Sequence, residues 1–228
     1  MKKYFALLLT AIRFISQLGI KPHAFRNIYA MGMSVCGKIN ANLMPDCTTP
    51  LHGGVDDLLY LINWADISDQ NAIILRNGVN PQIIENIILS SGALAYYYQG
   101  KNGSVHPSYK MVVQKYARVY EHNISAIVFD ITPTGKAQLE TLAQGRVVAI
   151  AQNRYKGTGQ NCAFEVYGLD AGLLLSALSR DPMNADSAGA FEITLTTDTK
   201  AEAYEGHLPA TFFKTDYPTT QALVNALI

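Results

Sequence analysis

Three cysteines, five histidines and one glycine-rich run are the residues of this 228-residue sequence best suited to chemistry. Gly157-Thr158-Gly159-Gln160-Asn161-Cys162 mimics the opening of a dinucleotide loop. It lacks the third glycine, and the apolar run after it reads as strand. Without a helix N-terminus no set of aligned amides meets a pyrophosphate, so the run is expected to be a hairpin turn. None of His23, His52, His106, His122 and His207 lies three or four positions from another ligand type on a predicted helix. They read as solvated or hydrogen-bonded side chains rather than metal ligands. Cys36, Cys47 and Cys162 form an odd set with no CxxC spacing, which supports neither a disulfide framework nor zinc. Cys162 is a nucleophile only if a distant histidine approaches it; beside Ala163 and Phe164 it reads as a small core residue. The acidic pairs Asp56/Asp57 and Glu202/Glu205 read as surface turns. No GxSxG, HExxH, Walker or EF-hand pattern occurs. The expectation is a protein without catalytic residues, cofactor or metal.

The elements around these residues are mostly strands. Residues 44–57 form a loop rich in Pro, Gly, Asp and Thr, and Leu58 to Ile62 is a compact apolar strand. Ala72–Leu75 and Ile83–Leu89 come next, split by Asn77-Gly78-Val79-Asn80-Pro81; the second is long enough to be a short helix instead. Leu94–Gln99, with Tyr96, Tyr97 and Tyr98, reads as strand. Lys101-Asn102-Gly103-Ser104 predicts a hairpin turn, because Asn-Gly accepts positive φ at both positions. Ser108–Asp130 is rich in β-branched and aromatic residues and predicts two long strands with a bend near Glu121-His122-Asn123. One helix is expected from Pro133 to Gln144, with Thr132 as cap, apolar residues at 137, 139, 142 and 143, and Gly145 at its end. Arg146–Gln152, Cys162–Tyr167, Leu173–Leu178 and Phe191–Thr197 read as strands, and Pro218–Leu227 as a closing short helix. The fold class is mainly β, a sandwich or barrel with one flanking α-helix and a long β-hairpin.

Composition narrows the function classes. Charged residues make up 16% of the chain, below the roughly 25% usual for soluble domains. Such a surface suits a protein whose faces are covered by neighbours. The net charge is zero but unevenly placed: residues 1–32 hold five basic side chains and no acid, whereas 33–228 hold 13 basic and 18 acidic. The body therefore has no basic patch for gripping phosphate. Residues 1–32 form a basic N-terminal extension with a signal-like start, Lys2-Lys3 before a short apolar run that is too short to span a membrane. The expected mature start is Met31 or Met33, with 33–228 a single β-rich domain.

Several segments together resemble virion structural proteins of tailed bacteriophages, tail tube proteins in particular. They are Pro50-Leu-His-Gly-Gly-Val-Asp-Asp-Leu-Leu-Tyr-Leu-Ile-Asn, Cys162-Ala-Phe-Glu-Val-Tyr-Gly-Leu-Asp-Ala-Gly-Leu, Ala188-Gly-Ala-Phe-Glu-Ile-Thr-Leu, His207-Leu-Pro and Phe213-Lys-Thr-Asp-Tyr-Pro-Thr-Thr. The resemblance covers residues 33–228 and is one of texture and element order. It implies a β-sandwich subunit that forms rings with copies of itself, six to a ring. The rings would stack, with other tail proteins, into a tube in the virion tail, assembled in the host cytoplasm. DNA would pass through without specific binding, and a net-negative body suits such passage. No cofactor, membrane or catalytic residue is implied. Other virion parts (a tail terminator, connector or head-decoration protein) and a secreted β-sandwich binding module are the alternatives. The expected assembly element is the stretch Leu94–Asp130, with Tyr96, Tyr97, Tyr98, Val113, Tyr116 and Tyr120 covered by a neighbour.

Overall fold

The computed structural model describes residues 41–44, 51–68, 72–197 and 204–228. The basic extension and the Met31 or Met33 start lie outside the described residues. Pro45–Ile228 forms one compact unit. Among its described residues eleven strands join in a single hydrogen-bonded sheet. The chain runs through β1 (Val55–Asn63), α1 (Trp64–Ser68), β2 (Ile73–Arg76), β3 (Ile83–Ile88), β4 (Ala95–Gln99), β5 (Val105–Val113) and β6 (Arg118–Val128). It continues through α2 (Pro133–Leu142), β7 (Val147–Asn153), β8 (Phe164–Tyr167), β9 (Leu173–Arg180), β10 (Phe191–Thr197), β11 (Ala210–Phe212) and α3 (Tyr217–Asn225). The mainly β class is therefore the observed one.

The sheet runs β2-β3-β11-β8-β7-β9-β10-β6-β5, and β1 adds to β7 and carries β4. Among the described residues only the β11–β3 pair is parallel. Strand β7 is the hinge of this arrangement. Its run Val147 to Gln152 is buried on both faces, as expected of a continuous apolar strand covered on each side. Period-two alternation sends Val148 and Ile150 into one core with Tyr60, Ile62, Phe164 and Phe212. It sends Val147, Ala149 and Ala151 into a second core with Leu59, Ile124, Leu173 and Leu195.

Helix α2 serves the second core, and α1, through Ile67 and Trp64, together with α3 serves the first. In α2 the Thr132 hydroxyl caps the Gly135 N–H at 3.1 Å and Pro133 opens the first turn. Leu139 and Leu142 reach the second core. The expected stripe is narrower than the spacing indicates, because Ala137 and Ala143 face solvent. At α3 the Asp216 carboxylate caps Thr219 N–H at 2.8 Å, and Val224, with Leu227 just beyond the helix, fills the first core.

Three expectations about local structure change. Lys101–Ser104 is the predicted turn, with φ 52° at Asn102 and 75° at Gly103, but it does not close a hairpin. It is a corner: β4 pairs with β1, and β5 pairs with β6. Asp57 holds the corner, its carbonyl accepting the Gly100 N–H at 2.6 Å and its carboxylate the Gly103 N–H at 2.8 Å. The long hairpin is accordingly β5–β6, Val105 to Val128, and Tyr96, Tyr97 and Tyr98 stand on a different strand pair. Its turn falls at Gln114–Ala117, where the Gln114 N–H donates to the Ala117 carbonyl at 3.0 Å. Glu121-His122-Asn123, the expected bend, lies in mid-strand opposite Ser108–Lys110. The Gly157–Asn161 run sits between antiparallel β7 and β8, the hairpin connection expected of it.

Candidate assembly surface

The residues expected to mediate assembly fall on the free border β4 and on the β5–β6 hairpin, whose outer strand β5 is a second free border; Tyr120 stands on the inner strand β6. Among the described residues β4 pairs only with β1, and β5 only with β6. Border β5 carries Pro107 and Lys110, residue types that discourage edge pairing. Border β4 reads Ala-Tyr-Tyr-Tyr-Gln and has neither charge nor proline. Tyr96 and Tyr97 are 61% and 63% exposed. Tyr98 instead turns inward, and its hydroxyl donates to the Ile127 carbonyl of β6. That bond ties border β4 to β6, the strand next to border β5, and desolvation raises the Tyr98 pKa.

Val113, Tyr116 and Tyr120 all lie on the β5–β6 hairpin. Near its base, Val105, Ile124, Ala126 and Val128 face the second core. The same face continues outward through Tyr109, Met111 and Val113, which are exposed. Their cross-strand neighbours are His122, Tyr120 and Arg118. An inward-facing apolar row thus outruns the core it belongs to. Tyr120 is half-buried, because its backbone exchanges two hydrogen bonds with Glu205 at 2.9 and 3.0 Å. Tyr116 occupies the tip.

A buried polar cluster underlies the hairpin, and the sequence gives no sign of it. His122 is buried and accepts the Gly168 N–H at Nδ1, 3.2 Å away. Its Nε2 lies 3.0 Å from the His207 carbonyl. An amide can only donate and a carbonyl only accept, so these partners fix the neutral Nε2–H tautomer. Desolvation lowers the His122 pKa to about 4. Glu205, expected in a surface turn, is also buried. Its carboxylate accepts the N–H groups of Asp170 and Ala171 at 2.8 and 2.9 Å. Burial, then the charge of Asp170, raises its pKa to about 7. These groups hold the 168–171 turn against β6 and serve positioning.

Cys162 is not a core residue. It precedes β8 and is exposed, because the strand begins two residues later than its apolar pattern implies. It lines a cleft of about 450 Å³ together with His52, His106, Tyr109, Tyr155 and Glu165. Desolvation and the neighbouring Glu165 raise the thiol pKa. A nucleophilic cysteine needs the opposite, a stabilised thiolate. The Glu165 carboxylate is itself engaged, accepting the Tyr167 hydroxyl at 2.6 Å. Among the described residues no group of three His, Cys, Asp or Glu side chains is placed to hold a metal ion. No described helix is long and apolar enough to cross a membrane.

No family model, curated protein or solved structure matches the chain.

Proposed function

We propose that this protein is a non-enzymatic structural subunit that assembles with copies of itself. The observation that carries this reading is the β4 border, covered at Ala95 by the Leu227 carbonyl but otherwise undefended, beside a hairpin whose core-facing apolar row continues past the core. Unpaired backbone groups on β4 are satisfied by a neighbouring strand, which also covers Tyr96 and Tyr97. Covering Tyr109, Met111 and Val113 removes apolar surface from water at about 25 cal/mol per Å². The finer reading is a tail tube protein of a tailed-phage virion, forming six-membered rings that stack with other tail proteins around passing DNA. It rests on the sequence resemblance and on the acidic balance of residues 33–228. Sedimentation velocity over a wide concentration range, with negative-stain microscopy, tests both levels. Rings and tubes are expected. A compact monomer at every concentration overturns the assembly reading.

The 450 Å³ cleft favours a second reading, a β-sandwich module that binds a small ligand. A monomer whose melting temperature rises with such a ligand would support it.

A further inference from the structure

We infer that the cleft at the base of the β5–β6 hairpin is the receptor for the hairpin tip of a second copy of this chain. The inference rests on the self-assembly reading and specifies donor and acceptor for it.

The donor is built to project one aromatic ring. Tyr116 is 88% exposed, the highest value among the aromatic side chains of the described residues. The Lys115 ammonium lies 4.8 Å from its ring centroid. The Arg118 guanidinium donates to the carbonyls of Gln114 and Ala117, at 3.4 and 3.3 Å, and so braces the turn. A braced tip loses little further freedom on docking, which is the condition for an effective anchor.

The acceptor complements it in shape and charge. At about 450 Å³ the cleft has room for a tyrosine ring with an ammonium beside it. Its walls include the rings of Tyr109, Tyr155, Tyr167 and His52, which suit offset or edge-on aromatic packing. Among the described residues Glu165 is its one acidic lining residue, and no lysine or arginine lines it. The tip from Lys110 to Arg118 carries three bases and no acid, whereas residues 33–228 together are net acidic. A carboxylate can accept several hydrogen bonds, so the Tyr167 hydroxyl does not exhaust Glu165.

A subunit cannot fill its own cleft. Tyr109 lines the cleft, and at about 3.3 Å per residue the tip lies roughly 20 Å further along the same hairpin. Donor and acceptor are therefore different patches of one surface. Such a head-to-tail contact closes into a ring when the rotation allows it.

Cys162 lies in the cleft and reports its occupancy. The full chain is labelled with a bulky maleimide at low and high concentration, and labelling is read by mass spectrometry at the Cys162 peptide. In the wild type, assembly is expected to slow labelling at Cys162 at least tenfold. Tyr116→Ala should return it to the dilute rate and weaken assembly, with circular dichroism unchanged; Tyr116→Phe should retain protection. Equal reactivity in assembled and dilute wild type overturns this inference while the assembly reading stands. So does a Tyr116→Ala variant that assembles with Cys162 still protected. A wild type that never assembles overturns both.

Discussion

The Gly168 amide donates to the inner ring nitrogen of His122 across 3.2 Å. Gly168 has φ +74°, and a Cβ there would lie 2.6 Å from Cγ of Leu173. Gly168→Ala therefore meets both backbone strain and a packed core side chain. The expected loss is about 2–4 kcal/mol of unfolding free energy, read by denaturant titration. An unchanged midpoint would refute the account of the 168–171 turn.

The buried His122 and Glu205 pull stability in opposite directions with pH. His122 has a folded value of about 4 against an ordinary 6.5, so its contribution is full above pH 6.5 and is lost as pH falls toward 4. Glu205 has a folded value of about 7 against an ordinary 4.5, so its contribution is full below pH 4.5 and is lost as pH rises toward 7. Across the overlap, from pH 4.5 to 6.5, the slopes oppose each other. The wild-type profile should be nearly flat there. In His122→Gln the Glu205 slope stands alone, and stability should rise as the pH is lowered through this window. Urea midpoints at half-unit pH steps provide the check.

Cys162→Ser should leave stability within about 0.5 kcal/mol of wild type, as at an ordinary exposed position. Its apolar neighbours on their own would predict the larger cost of a buried hydroxyl without a partner, on the order of 1–3 kcal/mol. Thermal melts of the two proteins decide between these values.

Val113→Asp tests assembly cleanly because Val113 is 62% exposed. Folding should change by no more than about 0.5 kcal/mol. Self-association should weaken at least tenfold, about 1.4 kcal/mol. Circular dichroism and sedimentation separate the two effects, and an intact assembly would remove the hairpin's apolar row from the interface.

The parts of this fold legible in the sequence are those fixed by local chemistry. Asn102-Gly103 specifies a turn wherever it stands, and Thr132-Pro133 starts a helix for the same kind of reason. The pairing of the strands beside that turn is not local: β4 pairs with β1, whose Leu58 to Ile62 lies some forty residues earlier. The tip at Gln114–Ala117 contains no glycine, proline or asparagine and gives no signal. The polar run Glu121-His122-Asn123 looks like a bend, yet it stays extended. Lys110 pairs with Glu121 across the ladder at 3.0 Å, and partners distant in the chain satisfy the His122 ring. For the same reason the pairing of Glu205 with the 168–171 turn is invisible until the fold brings them together.

Strand β7 divides its side chains between both cores, and so it forbids the two halves from melting separately. Loss of the Val148–Ile150 packing on one side releases Ala149 and Ala151 on the other. The compact unit should therefore unfold in one cooperative transition, and amide hydrogens on β7 should exchange only through that global event. Since β1, β8 and β9 all add to this strand, chain synthesis must pass β7 before either core can close.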